Sequence, residues 1–248
     1  MTSPLRWPRE FRGSRLRCLM LSSLSDEQVA NSLTELVSPH AIVKTHNFWR
    51  PRGFVHPQEP QLCKNTEFLS KEICDEMLNW WLSVRRNNPT TLVLDIAATC
   101  SVPDYDQQGI VIVEAKAHWD EFSENGKKLS TNTNKENHQS IGDAIQEANT
   151  ALGEGWNLSR DSHYQLCNRF AWAWKLSQLG IPVVLVYLGF LHATEMNDPF
   201  LNPEDWKKCL LAHAKGIVPE EIWGTNLNPG GAPLIPLIRS VEFSIDVS

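Results

Sequence analysis

The sequence contains no apolar run approaching the roughly 20 residues that cross a bilayer as a helix. Its longest, Ile181 to Leu191, carries Pro182 near its start and reads as a strand. Six cysteines, at positions 18, 63, 74, 100, 167 and 209, form no C-x-x-C pair. That removes the usual framework for a structural zinc site. A secretory signal, with an apolar core followed by small residues, is also missing. Together these absences make a cytoplasmic protein with reduced thiols and no membrane partner the simplest expectation. Basic charge is scarce: 23 Lys and Arg face 29 Asp and Glu, for a net charge of −6. This is a poor footprint for general nucleic-acid binding, which rests on neutralising phosphates.

The basic residues are unevenly spread. In the first 20 residues, Arg6, Arg9, Arg12, Arg15 and Arg17 stand against Glu10 alone. Residues 1–23 therefore read as a basic, irregular arm. A disordered start is the first expectation, with a phosphate-touching arm and an organelle-targeting segment as alternatives. Residues 24–248 read as one α/β domain, since 248 residues suit a single large unit.

Within that domain, Ser25 to Leu36 has a capping serine, early acids and apolar residues at helical spacing. Ala41 to Trp49 suits a short strand, and Arg50 to Pro60 a proline-rich loop. Asn65 to Arg85 predicts a helix with an apolar stripe of Ile73, Met77, Leu78, Trp81 and Leu82. Residues 123–138 hold almost no large apolar side chains and read as a mobile loop. Gln139 to Leu152 and Asp161 to Leu179 predict helices, the second capped by Asp161 or Ser162 and closed by Gly180. Pro182 to Phe190 is apolar on both faces and reads as a central strand. A helix over Pro203 to Lys215 and one or two edge strands in Gly230 to Val247 complete the chain. Strands covered by helices in this order make a mixed α/β fold.

The unusual stretch is Thr91 to His118. Two apolar runs flank a polar turn, yet Asp95 interrupts the first while Glu114 and Lys116 interrupt the second. Ionised groups are costly in an apolar layer unless they are paired or bind a metal. Directly opposed residues of an antiparallel pair share a face and have numbers of constant sum. A sum of 211 sets Asp95 opposite Lys116; a sum of 209 sets it opposite Glu114. Either way the three charges converge, whereas an even sum sends Asp95 to the other face. Asp104 and Asp106 fall in the turn, on the order of 20 Å from Lys116 at ~3.3 Å per residue, and read as turn formers.

Two carboxylates and a lysine on neighbouring strands suit a hard divalent cation such as Mg²⁺, with the Ala115 carbonyl as a further ligand. Lys116 stays protonated beside them and can orient water or steady a phosphate. The alternative is a structural salt bridge, which leaves one negative charge in excess; a bound cation removes that excess. An Asp95 and Glu114 acid–base pair acting on glycosides is a weaker reading, because it leaves Lys116 without a role.

Asp95, followed nineteen positions later by Glu114-Ala115-Lys116 at the end of an apolar strand, resembles the PD-(D/E)XK nuclease superfamily. The resemblance covers roughly residues 65–191. It implies the restriction-endonuclease-like fold: a central mixed sheet flanked by helices, here with N- and C-terminal additions. It also implies Mg²⁺-dependent hydrolysis of a nucleic-acid phosphodiester, Mn²⁺ being the other candidate cation. Asp95 and Glu114 would be metal ligands and Lys116 the catalytic lysine. The nucleic acid is DNA or RNA. A homodimer is one expected assembly, since many nucleases of this fold pair up. No proline precedes Asp95, a position that varies in the superfamily. A member that has lost catalysis and binds nucleic acid or protein is the competing reading.

Some members add an acid from the first helix, for which Glu67, at the predicted helix start, and Glu72 are candidates. Others place a polar helix residue after the third motif. Gln139 fits, as do Tyr164, Gln165, Asn168 and Arg169, which form two i, i+4 pairs that could face phosphate at a helix N-terminus. Ordinary capping and surface hydrogen bonding explain the same residues. His118 ends the motif strand, either as a proton carrier or as a solvent-exposed histidine.

Overall fold

The computed structural model describes residues 12–64, 67–85, 92–129, 135–228 and 231–243. Among these residues, five strands form a single sheet in chain order: β1 (Trp49–Arg50), β2 (Ile96–Ser101), β3 (Gln108–Lys116), β4 (Val183–Leu191) and β5 (Leu234–Glu242). β1, β2 and β3 are antiparallel neighbours, whereas β3, β4 and β5 run parallel. The parallel half requires long crossovers, and helices supply them.

Among the described residues, six α-helices cover the sheet: α1 (Gly13–Leu21), α2 (Asp26–Val37), α3 (Lys71–Trp81), α4 (Lys135–Leu152), α5 (Tyr164–Gln178) and α6 (Pro203–Ala214). The apolar alternation of β4 divides the core in two. Val183, Leu185, Tyr187 and Leu191 meet side chains of α3, α4, α5 and α6; Val184, Val186, Leu188 and Phe190 meet those of α1 and α2. All of β4 is buried, as a run apolar on both faces requires. Gly189 allows α6 to approach, because a Cβ there would collide with the Trp206 ring.

Several expectations need correcting. The supposed irregular arm contains α1, whose Leu16, Arg17, Cys18, Leu19 and Leu21 are buried. Arg17 is fully buried and gives two hydrogen bonds to the Glu195 carboxylate, so this arginine is not free to touch phosphate. Its pairing partner lies 178 residues away, beyond the reach of local pattern reading. Arg6 and Arg9 lie outside the described residues.

The helix expected from Asn65 begins at Lys71, with Ser70 as the cap that accepts from the Ile73 N–H. Residues 65–66 lie outside the described residues. The helix expected from Asp161 begins at Tyr164, because Asp161 is engaged by Arg160 and the preceding His163 is left-handed at φ 47°. Part of the loop expected to be mobile is fastened: Lys127 donates its N–H to the Arg160 carbonyl, and Asn125 bridges to Ser162. Residues 135–138 of that stretch belong to α4, and 130–134 lie outside the described residues. Where a strand was expected over Ala41 to Trp49, the chain makes a single bridge from Ile42 to Ser101 before β1 begins at Trp49.

Candidate functional site

β2 and β3 pair with Ile96 opposite Val113 and Ser101 opposite Gln108, a register sum of 209. This is the odd register that brings the charges together. Asp95 stands one residue outside the ladder. Its Oδ2 accepts the Ala115 N–H at 2.7 Å, taking the donor of the rung that β2 does not supply. Leu94 and Ala97 enter the same core layer, while Ile96 enters the opposite one. The expected alternation through Val93, Asp95 and Ala97 therefore slips at Asp95, which marks the entrance of the strand.

Glu114 is 3 % exposed. Its Oε1 accepts from Lys116 Nζ at 2.7 Å, and its Oε2 accepts from Arg169 Nε at 2.7 Å and lies 2.6 Å from Arg169 Nη2. Arg169 comes from the second turn of α5, also donates to the Val93 carbonyl at 2.7 Å, and reaches Asn168 Oδ1 at 2.8 Å. Gln165 Oε1 sits 3.5 Å from Lys116 Nζ. One guanidinium thus ties α5 to β3 and to the strand leading into β2.

The electrostatics follow from burial. Asp95, partly buried and close to Glu114, has its carboxyl pushed up to about 7, mainly by burial and then by the Glu114 charge. Burial opposes ionisation of Glu114 as well, but Arg169 and Lys116 outweigh it and hold this carboxyl well below the usual range. Lys116 is likewise disfavoured by burial, yet Glu114 and Asp95 prevail and raise it. Arg169 supplies a second fixed positive charge. The negative excess expected of Asp95, Glu114 and Lys116 alone is therefore absent, since two acids meet two bases. A buried pair of this kind is favourable only when further hydrogen bonds serve its other donors, and Val93, Asn168 and Gln165 supply some of them here.

The other sequence candidates divide. Asn168 and Arg169 are buried in the cluster, and Gln165 borders it. Tyr164 hydrogen-bonds Asn168, and burial pushes its hydroxyl up to about 12. Glu67 is not on α3; it is exposed in the preceding turn. Glu72 is exposed in the first turn of α3, and Gln139 is exposed and bonded to Asp143. None of these three has a bond to the cluster among the described residues. His118, expected at the solvent, is only 6 % exposed, and its Nδ1 has no partner among the described residues.

Two features escape a reading of the sequence. Glu121 accepts the N–H groups of Ala117 at 2.6 Å and Ser14 at 2.9 Å, joining the exit of β3 to the start of α1. His213 on α6 packs at a tilt against the rings of His163, at 4.8 Å, and Phe122, at 4.6 Å. Burial, then His163 and Lys116, lowers its imidazole to about 4. Nothing local in the sequence marks either residue, because these partners of His213 and the Ser14 partner of Glu121 lie far away along the chain.

No protein-family model, curated protein or solved structure matches the chain. No helix among the described residues is long and apolar enough to cross a membrane.

Proposed function

We propose that the chain is a Mg²⁺-dependent nuclease of the restriction-endonuclease-like fold, acting at Asp95, Glu114 and Lys116. The observation that carries this reading is the convergence of those three side chains at one end of an antiparallel hairpin, followed by helices and a strand parallel to β3. That order resembles the superfamily core. The free thiols of all six cysteines suit the cytoplasmic setting of the same reading.

The donor set fits a hard cation within limits. Asp95 Oδ2 and both Glu114 oxygens have hydrogen bonds, yet carboxylate oxygens keep further lone pairs for a metal. Among the described residues, no group of three His, Cys, Asp or Glu side chains could hold one. Mg²⁺ tolerates this, because one or two carboxylates with waters and substrate phosphate are its ordinary shell. The Ala115 carbonyl points to the same side as its N–H, towards Asp95, and would be the backbone ligand. When bound, the cation supplies Lewis acidity and neutralises phosphate charge. Lys116, held protonated, donates to a phosphate oxygen or to the attacking water. Arg169 fixes the Glu114 carboxylate and leaves Asp95 as the less encumbered acid.

A second reading rests on Arg169 itself. Because it balances the cluster without any metal, the chain could serve as a non-catalytic module of the same fold, binding nucleic acid or protein.

Incubation with single- and double-stranded DNA and RNA, in Mg²⁺ or Mn²⁺ and in EDTA, separates the two. Cleavage that needs the metal and disappears in Lys116→Ala and Asp95→Ala supports the nuclease. Retention of nucleic acid without cleavage supports the module.

A further inference from the structure

A cleft of about 400 Å³ lies beside the candidate site, lined in part by Arg50, His56, Glu59 and Lys64. Glu59 is already ion-paired with Arg15. Neither Arg50 nor Lys64 has an ion-pair partner among the described residues; Arg50 rests over the Phe48 ring at 4.8 Å. In a chain with a net charge of −6, two cations without an ion-pair partner thus line one concave site.

The sheet register places this cleft. Arg50 is the partner of Ala97, and Ala97 of Ile112, so the three share the face that carries Glu114. Two strand spacings of ~4.8 Å and two residue rises of ~3.3 Å put the Arg50 and Glu114 Cα atoms about 12 Å apart. The Pro60 carbonyl, on the cleft wall, accepts the N–H of Leu94, next to Asp95. The cleft and the charged cluster are thus two stations on one face of the sheet.

We infer that this cleft binds a backbone phosphate of the nucleic-acid substrate other than the phosphodiester at Asp95 and Glu114. The inference rests on the nuclease reading for its substrate class. Arg50 supplies a fork of donors, Lys64 a mobile point charge, and His56 a further donor. Such a station explains how an acidic protein holds a polyanion: the contact is local and needs no basic surface.

The test has two arms, each with the full chain and with the Arg50→Ala/Lys64→Ala variant, whose fold is checked by circular dichroism. In the first, pyrophosphate binding is followed by calorimetry, with Lys207→Ala as a control for general charge. Binding weakened at least tenfold in the double variant and unchanged in the control is expected. No binding by the unaltered protein, or equal binding by the double variant, overturns the cleft whatever the protein does to nucleic acid. In the second, cleavage of a dinucleotide is compared with that of a single-stranded ten-nucleotide substrate. The double variant raises KM for the longer substrate only and leaves kcat in place. It also flattens the salt dependence by roughly 0.7, the share of one phosphate that is no longer neutralised. Equal KM changes on both substrates overturn a second phosphate station. Pyrophosphate binding that depends on Arg50 and Lys64, with no nucleic acid cleaved, retires the nuclease reading and the substrate class but keeps the anion site.

Discussion

Arg169 and Glu114 are joined through two guanidinium nitrogens on one carboxylate oxygen, Nε at 2.7 Å and Nη2 at 2.6 Å, with both side chains buried. The pair lies across two elements 55 residues apart and fixes how α5 meets β3. Removing one partner leaves a buried charge incompletely compensated, which is the expensive way to break such a pair. Arg169→Ala is therefore expected to cost about 3–5 kcal/mol of stability. Urea unfolding measures it, and a loss below about 1 kcal/mol would show that Lys116 alone satisfies Glu114.

Asp95 gives a pH dependence of defined sign. Its folded-state carboxyl is pushed up to about 7 by burial and by Glu114, from an ordinary value of 3.8. Between these values the folded protein holds a proton that the unfolded chain has released. Stability therefore falls as pH rises from about 4 to 7, with a ceiling near ~1.4 kcal/mol per pH unit. Asp95→Asn removes that slope. In the unaltered protein, Mg²⁺ at the site would draw the Asp95 titration downward, which carboxyl-labelled NMR reads without any cleavage assay. A titration indifferent to Mg²⁺ and Mn²⁺ counts against a metal at Asp95.

His213 acts with the opposite sign. Burial, His163 and Lys116 lower its imidazole from 6.5 to about 4. The unfolded chain takes up this proton first on acidification, so stability declines as pH falls from about 6.5 towards 4. Replacing His213 with Phe, which retains a ring contact with Phe122, should flatten the acid limb of a melting-temperature profile. An unchanged acid limb would assign the decline to other groups.

Arg17 tests the helix that local sequence pattern does not reveal. It is fully buried, paired with Glu195 at 2.9 Å and bonded to the Phe243 carbonyl at 3.0 Å. Arg17→Ala leaves Glu195 and that carbonyl short of donors. A loss of about 3 kcal/mol or more is expected, with faster amide exchange confined first to α1. If α1 exchanges no faster than before, its docking does not depend on this ion pair.

How much of the molecule is legible in the sequence depends on the range of each interaction. The central strand, α2, α4 and α6 are readable because their signals are local: apolar periodicity, the Ser25 and Gln28 capping box, and Pro203 at a helix start. Glu114 and Lys116 are readable as i, i+2 neighbours on one strand, and the odd register brings the start of β2, with Asp95 just before it, to their end of the hairpin. The fourth member of the cluster, Arg169, is visible only as a helix-head polar residue, since its partners Glu114 and Val93 belong to the distant hairpin. α1 is hidden by its own composition: Arg12, Arg15 and Arg17 look like a solvated arm until the fold brings Glu59 to Arg15 and Glu195 to Arg17. The phase slip at Asp95 is hidden too, because alternation cannot announce where it stops.

The tie between α1 and Glu195 also sets a timetable for synthesis. Arg17 leaves the ribosome 178 residues before its partner does, and Ser14 leaves 107 residues before Glu121. At about 5–20 residues per second, Arg17 waits roughly ten to forty seconds for its counter-charge. For roughly the first half of that interval, until β2 and β3 have followed, the apolar side of α1 has no strand to rest on. The helix nearest the beginning of the described chain thus completes its ion pair only after most of the sheet has been synthesised.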